Sequence, residues 1–265
     1  MSKQNLLYVP TMAEMAAEGK TPEVLFWVGC AGSYDDRAKK ITRSFVKILN
    51  KADVSFAVLG TEESCSGDPA KRAGNEFLFQ MQAMTNIEIM NAYEVKKVVT
   101  ACPHCFNTIK NEYPKLGGNY DVIHHTELLQ QLIDEGKLTL EGGEYKGKRI
   151  TFHDPCYLGR ANDIYEAPRN LLKELEGELV EMNSCKSDAL CCGAGGAQMF
   201  KEAEKGDKEV FEARTEQAIE VKPDVIATGC PFCNTMITDG IKIKDLNEKI
   251  KVLDIAEIIV NANNL

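Results

Sequence analysis

The sequence predicts an α/β protein of two duplicated halves, each built on a parallel sheet. Three observations carry this. Short apolar runs alternate with stretches of helical period, the pattern of strand–helix–strand units. Cysteine-bearing segments occur twice at a nearly constant spacing. The chain, at 265 residues, has room for two units of about 125 residues each.

The duplication is read from three pairs of segments. VLFWVGCAGSYDD around Cys30 matches RITFHDPCYLGRAND around Cys156. ESCSGDPA around Cys65 matches ALCCGAGG around Cys191, and TACPHCFNTI at Cys102 matches TGCPFCNTMI at Cys230. Cys30 and Cys156 lie 126 residues apart, as do Cys65 and Cys191, while Cys102–Cys230 and Cys105–Cys233 are separated by 128. Landmarks that hold one offset this closely mark a repeated unit. The halves are expected at 22–140 and 148–265, with 1–21 as an N-terminal arm. The junction KLTLEGGEYKGKR has the glycines and charges of an exposed connection.

Within the first half, Val24–Val28, Val54–Leu59 and Val98–Ala101 read as buried strands, with Val122–His124 a weaker fourth. Asp35–Asn50 and Asn75–Tyr93 have helical period. In the second half Arg149–His153, Glu178–Met182, Val225–Thr228 and Lys251–Leu253 are the matching strands. Phe211–Glu220 reads as a helix, closed by Lys222–Pro223 before the next strand. Leu128–Leu132 and Ile255–Val260 read as packed helix faces. Such alternation implies parallel sheets with right-handed crossovers, whose ligand sites lie beyond the carboxyl ends of the strands. Cys30 closes the first strand and Cys102 follows the third; Cys156 and Cys230 repeat those places. One site per half is expected there.

Composition narrows the class. Apolar residues make up 44% and charged residues 27%, an ordinary globular balance. The net charge of −9 argues against nucleic acid or an anionic membrane surface as the main partner. No apolar run approaches the roughly 20 residues of a membrane helix. The N-terminal MSKQNLLYVPTMAEMAAEGK lacks the apolar segment of a secretory signal and carries acidic residues. A cytoplasmic chain without its own membrane span is therefore expected. In a reducing compartment, ten cysteines point to metal or redox chemistry rather than to structural disulfides.

The second half offers Cys156, the adjacent Cys191 and Cys192, and the Cys230-Pro-Phe-Cys233 turn. Thiolates hold iron–sulfur clusters, and a Cys-x-x-Cys turn brings two of them to neighbouring irons. Gly193, Gly195 and Gly196 let the backbone approach a sulfide and aim amide groups at it. These glycines look like a phosphate loop, but no Lys-Ser/Thr follows, and the cysteines explain them better. Cys191 and Cys192 fit poorly on one zinc ion and better on several irons.

The pattern Cys…Cys-Cys-Gly…Cys-Pro-x-Cys, present twice, resembles the cysteine-rich (CCG) domain proteins. These include the catalytic iron–sulfur subunits of heterodisulfide reductases and the iron–sulfur subunits of glycolate and lactate oxidation systems. The resemblance runs from about Pro10 to the C-terminus and is closest for HDPCYLGR, CCGAGG and CPFC. It implies two Rossmann-like halves facing each other, with sites near the interface. A complete five-cysteine motif implies a noncubane [4Fe-4S] cluster, here on Cys156, Cys191, Cys192, Cys230 and Cys233. The first half departs from the motif, because Ser66 stands where the second cysteine of the pair belongs. Cys30, Cys65, Cys102 and Cys105 are then left to hold an ordinary [4Fe-4S] cube, a smaller cluster or a structural zinc. Ser66 itself reads as absent from the set or as a weak oxygen ligand.

Other residues have a plainer reading beside the functional one. Cys185 lies outside the repeated frame and reads as a bystander thiol. His153 reads either as a group that tunes the second site or as a histidine satisfied within the sheet. His104 sits inside the first Cys-x-x-Cys and reaches that site's surroundings. His124 and His125 read as structural. Arg160 and Arg169 are candidates for an anionic substrate, with solvated surface as the safer reading.

The resemblance implies an iron–sulfur oxidoreductase subunit that transfers electrons in a multi-subunit complex, with disulfide reduction at the second-site cluster as one outcome. No particular catalytic residue is assigned; the chemistry is expected at that cluster. The chain has no ferredoxin-type Cys-x2-Cys-x2-Cys-x3-Cys-Pro run and no glycine fingerprint for flavin or nicotinamide. A separate ferredoxin-like or flavin-containing partner is expected, membrane-attached and quinone-linked. In longer relatives a membrane-anchored ferredoxin-like portion precedes this region, and Val9–Lys20 resembles the linker that follows it. Through such a partner the chain would sit peripheral to the membrane. The alternatives are a thiol–disulfide exchanger using Cys102/Cys105 and Cys230/Cys233, and a zinc-stabilised scaffold. Neither accounts for adjacent Cys191 and Cys192.

Overall fold

In the computed structural model, which describes residues 7–203 and 205–265, each half forms a four-stranded parallel sheet. The first sheet contains β1 (Val24–Trp27), β2 (Phe56–Ala57), β3 (Lys97–Thr100) and β4 (Asp121–His124), in the order β2-β1-β3-β4. The second contains β5 (Arg149–Phe152), β6 (Glu178–Leu179), β7 (Val225–Thr228) and β8 (Lys251–Asp254), in the identical order β6-β5-β7-β8. All pairings are parallel. The fold is the expected α/β duplication. β1 and β7 are buried along their whole length and apolar except for Thr228, as strands covered by helices on both faces must largely be.

The edge strands are shorter than the apolar runs Val54–Leu59 and Glu178–Met182 that announced them. An edge strand has a sheet neighbour on one side only. Past Ala57 the N-terminal arm takes over: Met12 donates its amide to the Val58 carbonyl at 2.9 Å, and Val58 donates to Pro10 at 3.0 Å. The arm's helix Met12–Ala17 begins in a capping box of Thr11 and Glu14, and Met12 is buried. Residues 1–6 of the expected arm lie outside the described residues.

The expected helix Asp35–Asn50 becomes Ala38–Lys51, and a short helix that was not expected, Gly29–Tyr34, precedes it. Cys30, expected to close the first strand, therefore lies in the first turn of a helix. Gly29, at φ 78°, makes the abrupt change of direction that a side chain would resist. Asn75–Tyr93 becomes Glu76–Ala92 with Asn75 as its cap, and Phe211–Glu220 starts one residue earlier, at Val210. No helix among the described residues is long and apolar enough to cross a membrane.

The two halves share one apolar core. Phe45, Ile48 and Leu49 of helix Ala38–Lys51 belong with Ile255, Ile258 and Ile259 of helix Ile255–Ala262. Polar groups cross the same seam. Arg37 donates to both carboxylate oxygens of Glu257 at 2.7 Å. His125 Nε2 meets Asp254 Oδ1 at 3.0 Å, and His125 Nδ1 meets His124 Nε2 at 3.2 Å, all fully buried. His124 and Asp254 each end a fourth strand and cap the next helix, with Glu127 and Glu257 completing the boxes.

Helix Pro231–Ile243 packs against helix Val210–Glu220, with Gly240 facing Thr215. A Cβ at position 240 would overlap Thr215 Oγ1 and lie 2.8 Å from Thr215 Cβ. Gly240→Ala is expected to cost about 1–3 kcal/mol, read as a lower denaturation midpoint with unchanged slope. The approach matters because these helices carry Cys233 and Arg214.

Candidate metal centres

The second half brings its five framed cysteines together beyond the carboxyl ends of β5 and β7. Cys156 lies in the turn after β5, and Cys191 and Cys192 lie in the long loop after β6. Cys230 caps helix Pro231–Ile243, with Pro231 at its first position, where no amide is needed. Cys233 lies in that helix's first turn. The thiols meet in succession: Cys156 with Cys191, Cys191 with Cys192, Cys192 with Cys233, and Cys233 with Cys230. The Gly193 amide donates to Cys191 Sγ at 3.3 Å, from a glycine at φ 85°. Hydrogen bonds from Cys156 and Cys192 hold the Cys191 thiol well below its ordinary range, and the amide adds to this. Cys156 is pushed up by the same sharing. A thiol held as thiolate is the form that binds metal.

Arg214 stands beside these thiols and is fully buried. Its guanidinium donates to His153 Nδ1 at 3.0 Å, the Ser184 carbonyl at 2.9 Å and Gln217 Oε1 at 2.8 Å, all neutral acceptors. Its Nη2 has no partner among the described residues. The carboxylate whose charge it feels most, that of Asp154, is already held by Arg169. A buried cation without a bonded anion costs several kcal/mol. The thiols whose charge it feels are Cys233, Cys185 and Cys192, each of which would oppose the arginine's charge as a thiolate. The sequence reading passed over Arg214. The signal was its place at helical spacing among Phe211, Thr215 and Ala218, a charge on an inward face.

His153 is also buried, and one of its ring nitrogens lies within 4.8 Å of Cys192 and Cys233 sulfurs. Burial, and then the Arg214 charge, push its pKa down to about 3, so the ring is neutral. Cys185 lies apart, among Glu181, Arg169, Asp154 and Lys186.

Arg169 is not surface, as its reading as a solvated residue expected; it is 2% exposed. It grips Asp154 through two bonds, at 2.7 and 2.9 Å, and Glu181 through two more, at 2.7 and 2.9 Å. Asp154 also accepts the Lys186 amide at 2.8 Å. The network ties the Cys156 turn to the loop that leads to Cys191, so Arg169 is spent on structure. Arg160 is exposed, as the surface reading expected.

The first half repeats the arrangement with one thiol fewer. Cys30 meets Cys65, Cys102 meets Cys105, and Cys105 feels the charge of Cys65. Ser66, 2% exposed, donates to Cys105 Sγ at 3.5 Å. It thus sits inside the cysteine group. The Gly67 amide donates to Cys65 Sγ at 3.4 Å, as Gly193 does to Cys191. The bond from Cys30 brings Cys65 down to about 7.

The two centres are neighbours. The Cys102 thiol feels the charge of Cys230, and the backbones of Ala101 and Gly229 both lie against the His124 ring. His104 reaches across the seam, edge-on to Tyr157 at 4.7 Å and Phe232 at 5.3 Å, with Nδ1 bonded to Asp68 at 2.9 Å. Burial works against its charge, but Asp68 and the neighbouring thiols outweigh it and raise its pKa. An open cleft of about 840 Å³ lies beside the second centre, lined by Gly193, Met199, Lys201, Phe211 and Met236.

Known proteins resemble this chain over most of its length. A probable iron-sulfur-binding oxidoreductase, FadF, of Bacillus subtilis is 49% identical over 255 residues, 96% of this chain and 36% of that protein. The EtfAB:quinone oxidoreductase of Syntrophomonas wolfei is 46% identical, covering 92% of this chain and 35% of its own length. One subunit of the dihydromethanophenazine:CoB–CoM heterodisulfide reductase of Methanosarcina barkeri is 35% identical, over 99% of this chain and 64% of its own. The chain thus spans about a third of the first two relatives. The cysteine-rich domain family, CCG, matches twice, over residues 24–110 and 150–238, the two segments that carry the repeated cysteines. The chain belongs to the cysteine-rich (CCG) domain family.

Proposed function

We propose that this chain is the iron–sulfur, electron-transferring part of an oxidoreductase, with a [4Fe-4S] cluster of noncubane type on Cys156, Cys191, Cys192, Cys230 and Cys233. The observation that carries the reading is the run of five neighbouring thiols, two of which, Cys192 and Cys233, stand beside a buried Arg214 that has no bonded anion among the described residues. Five thiolates exceed what a tetrahedral zinc takes. A thiolate-ligated cluster is anionic and offers several metal atoms, which suits both the adjacent Cys191–Cys192 pair and the unsatisfied arginine. Bound there, such a cluster supplies one-electron transfer. The chain's own groups hold the thiolates, turn the Gly193 amide toward sulfur and keep water from Cys230 and Cys233, which are 0% and 2% exposed. At the first centre, Cys30, Cys65, Cys102 and Cys105 hold a second iron–sulfur cluster or a zinc.

The burial of the Cys-Pro-x-Cys thiols speaks against a dithiol exchanger, whose attacking sulfur must meet its substrate. The proposed partner is a ferredoxin-like or flavin-containing, membrane-attached redox protein; the likeness to the EtfAB:quinone oxidoreductase supports its being quinone-linked. The likeness to the heterodisulfide reductase of Methanosarcina barkeri supports the finer reading, a disulfide as acceptor at the second centre. Two electrons and two protons convert such a disulfide to two thiols.

The test is anaerobic purification with iron, sulfide and zinc counted per chain, followed by EPR of the oxidised and reduced protein. About four or more irons with equal sulfide are expected. An oxidised paramagnetic signal that responds to thiols would favour the disulfide over a quinone as acceptor. Zinc without sulfide would overturn the proposal.

A further inference from the structure

Three residues before the first cysteine of each half, at the end of the strand or directly after it, lies a buried ring nitrogen with no partner among the described residues. In the second half this is His153. Its Nδ1 accepts from Arg214 Nε at 3.0 Å, and its Nε2 has no partner among the described residues. A guanidinium has donors only and keeps its protons, so Nδ1 must offer its lone pair. The proton of the neutral ring then sits on Nε2. A ring nitrogen that carries a proton has no lone pair for a metal, although one of the ring nitrogens lies within 4.8 Å of Cys192 and Cys233. In metal-ligating histidines the far nitrogen commonly donates to a carboxylate or carbonyl, the reverse of what Arg214 imposes.

The repeat supplies an independent argument. The position 126 residues earlier is Trp27, the same distance before Cys30 as His153 is before Cys156. Phe26 and Phe152 precede them in equivalent strands, and each residue lies beside the equivalent central strand: Trp27 pairs with Thr100, and the His153 amide bonds Ala227. Trp27 is fully buried, and its indole Nε1 likewise has no partner among the described residues. An indole N–H donates and never ligates. A duty shared by both positions is therefore donation.

The geometry points to His153 as a hydrogen-bond donor, through Nε2, to a sulfur of the second-centre cluster, with Arg214 as the positioning residue that fixes its tautomer. The inference rests on the cluster proposed above. A donor to sulfur favours the more negative, reduced cluster, so its loss lowers the reduction potential. A hydrogen bond to a charged acceptor changes an equilibrium by about tenfold or more. His153→Phe is thus expected to keep its iron and sulfide while its oxidised-to-reduced ratio rises about tenfold at a fixed ambient potential, equal to about 59 mV for one electron. His153→Gln, which retains an N–H, should recover part of the shift. Arg214→Met should shift in the same direction.

Potentials are read by EPR-monitored redox titration of the whole chain. If His153→Phe misfolds, the unsubstituted protein labelled with ¹⁵N-histidine decides by pulsed EPR. A donor gives the weak hyperfine coupling of a hydrogen bond, and a ligand gives a strong one. A strong coupling, iron loss in folded His153→Phe, or an unchanged potential would each overturn the inference. Unsubstituted protein without iron and sulfide would instead defeat the cluster reading beneath it, and the inference with it.

Discussion

Cys192→Ser is expected to lose the iron and sulfide of the second centre, about four of each per chain, while Cys185→Ser keeps both. Cys192 is 3% exposed and stands between Cys191 and Cys233 in the run of touching thiols. Serine matches its shape but presents a neutral hydroxyl where a thiolate is needed. Burying that hydroxyl costs about 1–3 kcal/mol, within the stability of an ordinary domain, so the variant should fold. Far-UV circular dichroism checks folding and metal analysis checks the centre. A folded Cys192→Ser with its full iron would remove Cys192 from the ligand set.

Arg169→Ala is expected to destabilise the protein by about 3–5 kcal/mol, the largest stability effect predicted for a single side chain here. The variant strands Asp154, 4% exposed, with the Lys186 amide as its remaining partner, and frees Glu181. Much of the loss is the penalty of an unpaired buried carboxylate rather than the worth of the pair. Asp154→Ala combined with Arg169→Ala should therefore lose less than the sum of the two single variants. Denaturant unfolding of the four proteins measures this. A single variant as stable as the parent would show that the network contributes nothing to the fold.

The two buried arginines near the end of β5 differ in a way that bears on function. Arg169 has carboxylates on both sides and is a finished structural unit. Arg214 bonds neutral groups, has one nitrogen without a partner among the described residues and stands beside Cys233 and Cys192. One arginine explains how the loop is held. The other has the charge and the free nitrogen that suit the anionic cluster proposed above.

The amino-acid sequence by itself determined the duplication, the alternation of strands and helices, and the cysteine frame. Each is a local pattern repeated along the chain: apolar period, Gly and Pro punctuation, and thiols at fixed offsets. Even the pairing of Trp27 with His153 was present in the matched segments VLFWVGC and RITFHDPC, though its meaning depends on both rings being buried. Tertiary structure alone decided which charges are inside. Arg169 and Arg160 look alike in sequence, yet one is buried and the other exposed. The Asp254–His125–His124 chain likewise joins residues 129 apart. Burial of a polar group is settled by partners brought from distant segments, because only a satisfied hydrogen bond or ion pair makes it tolerable. No local window of sequence contains those partners.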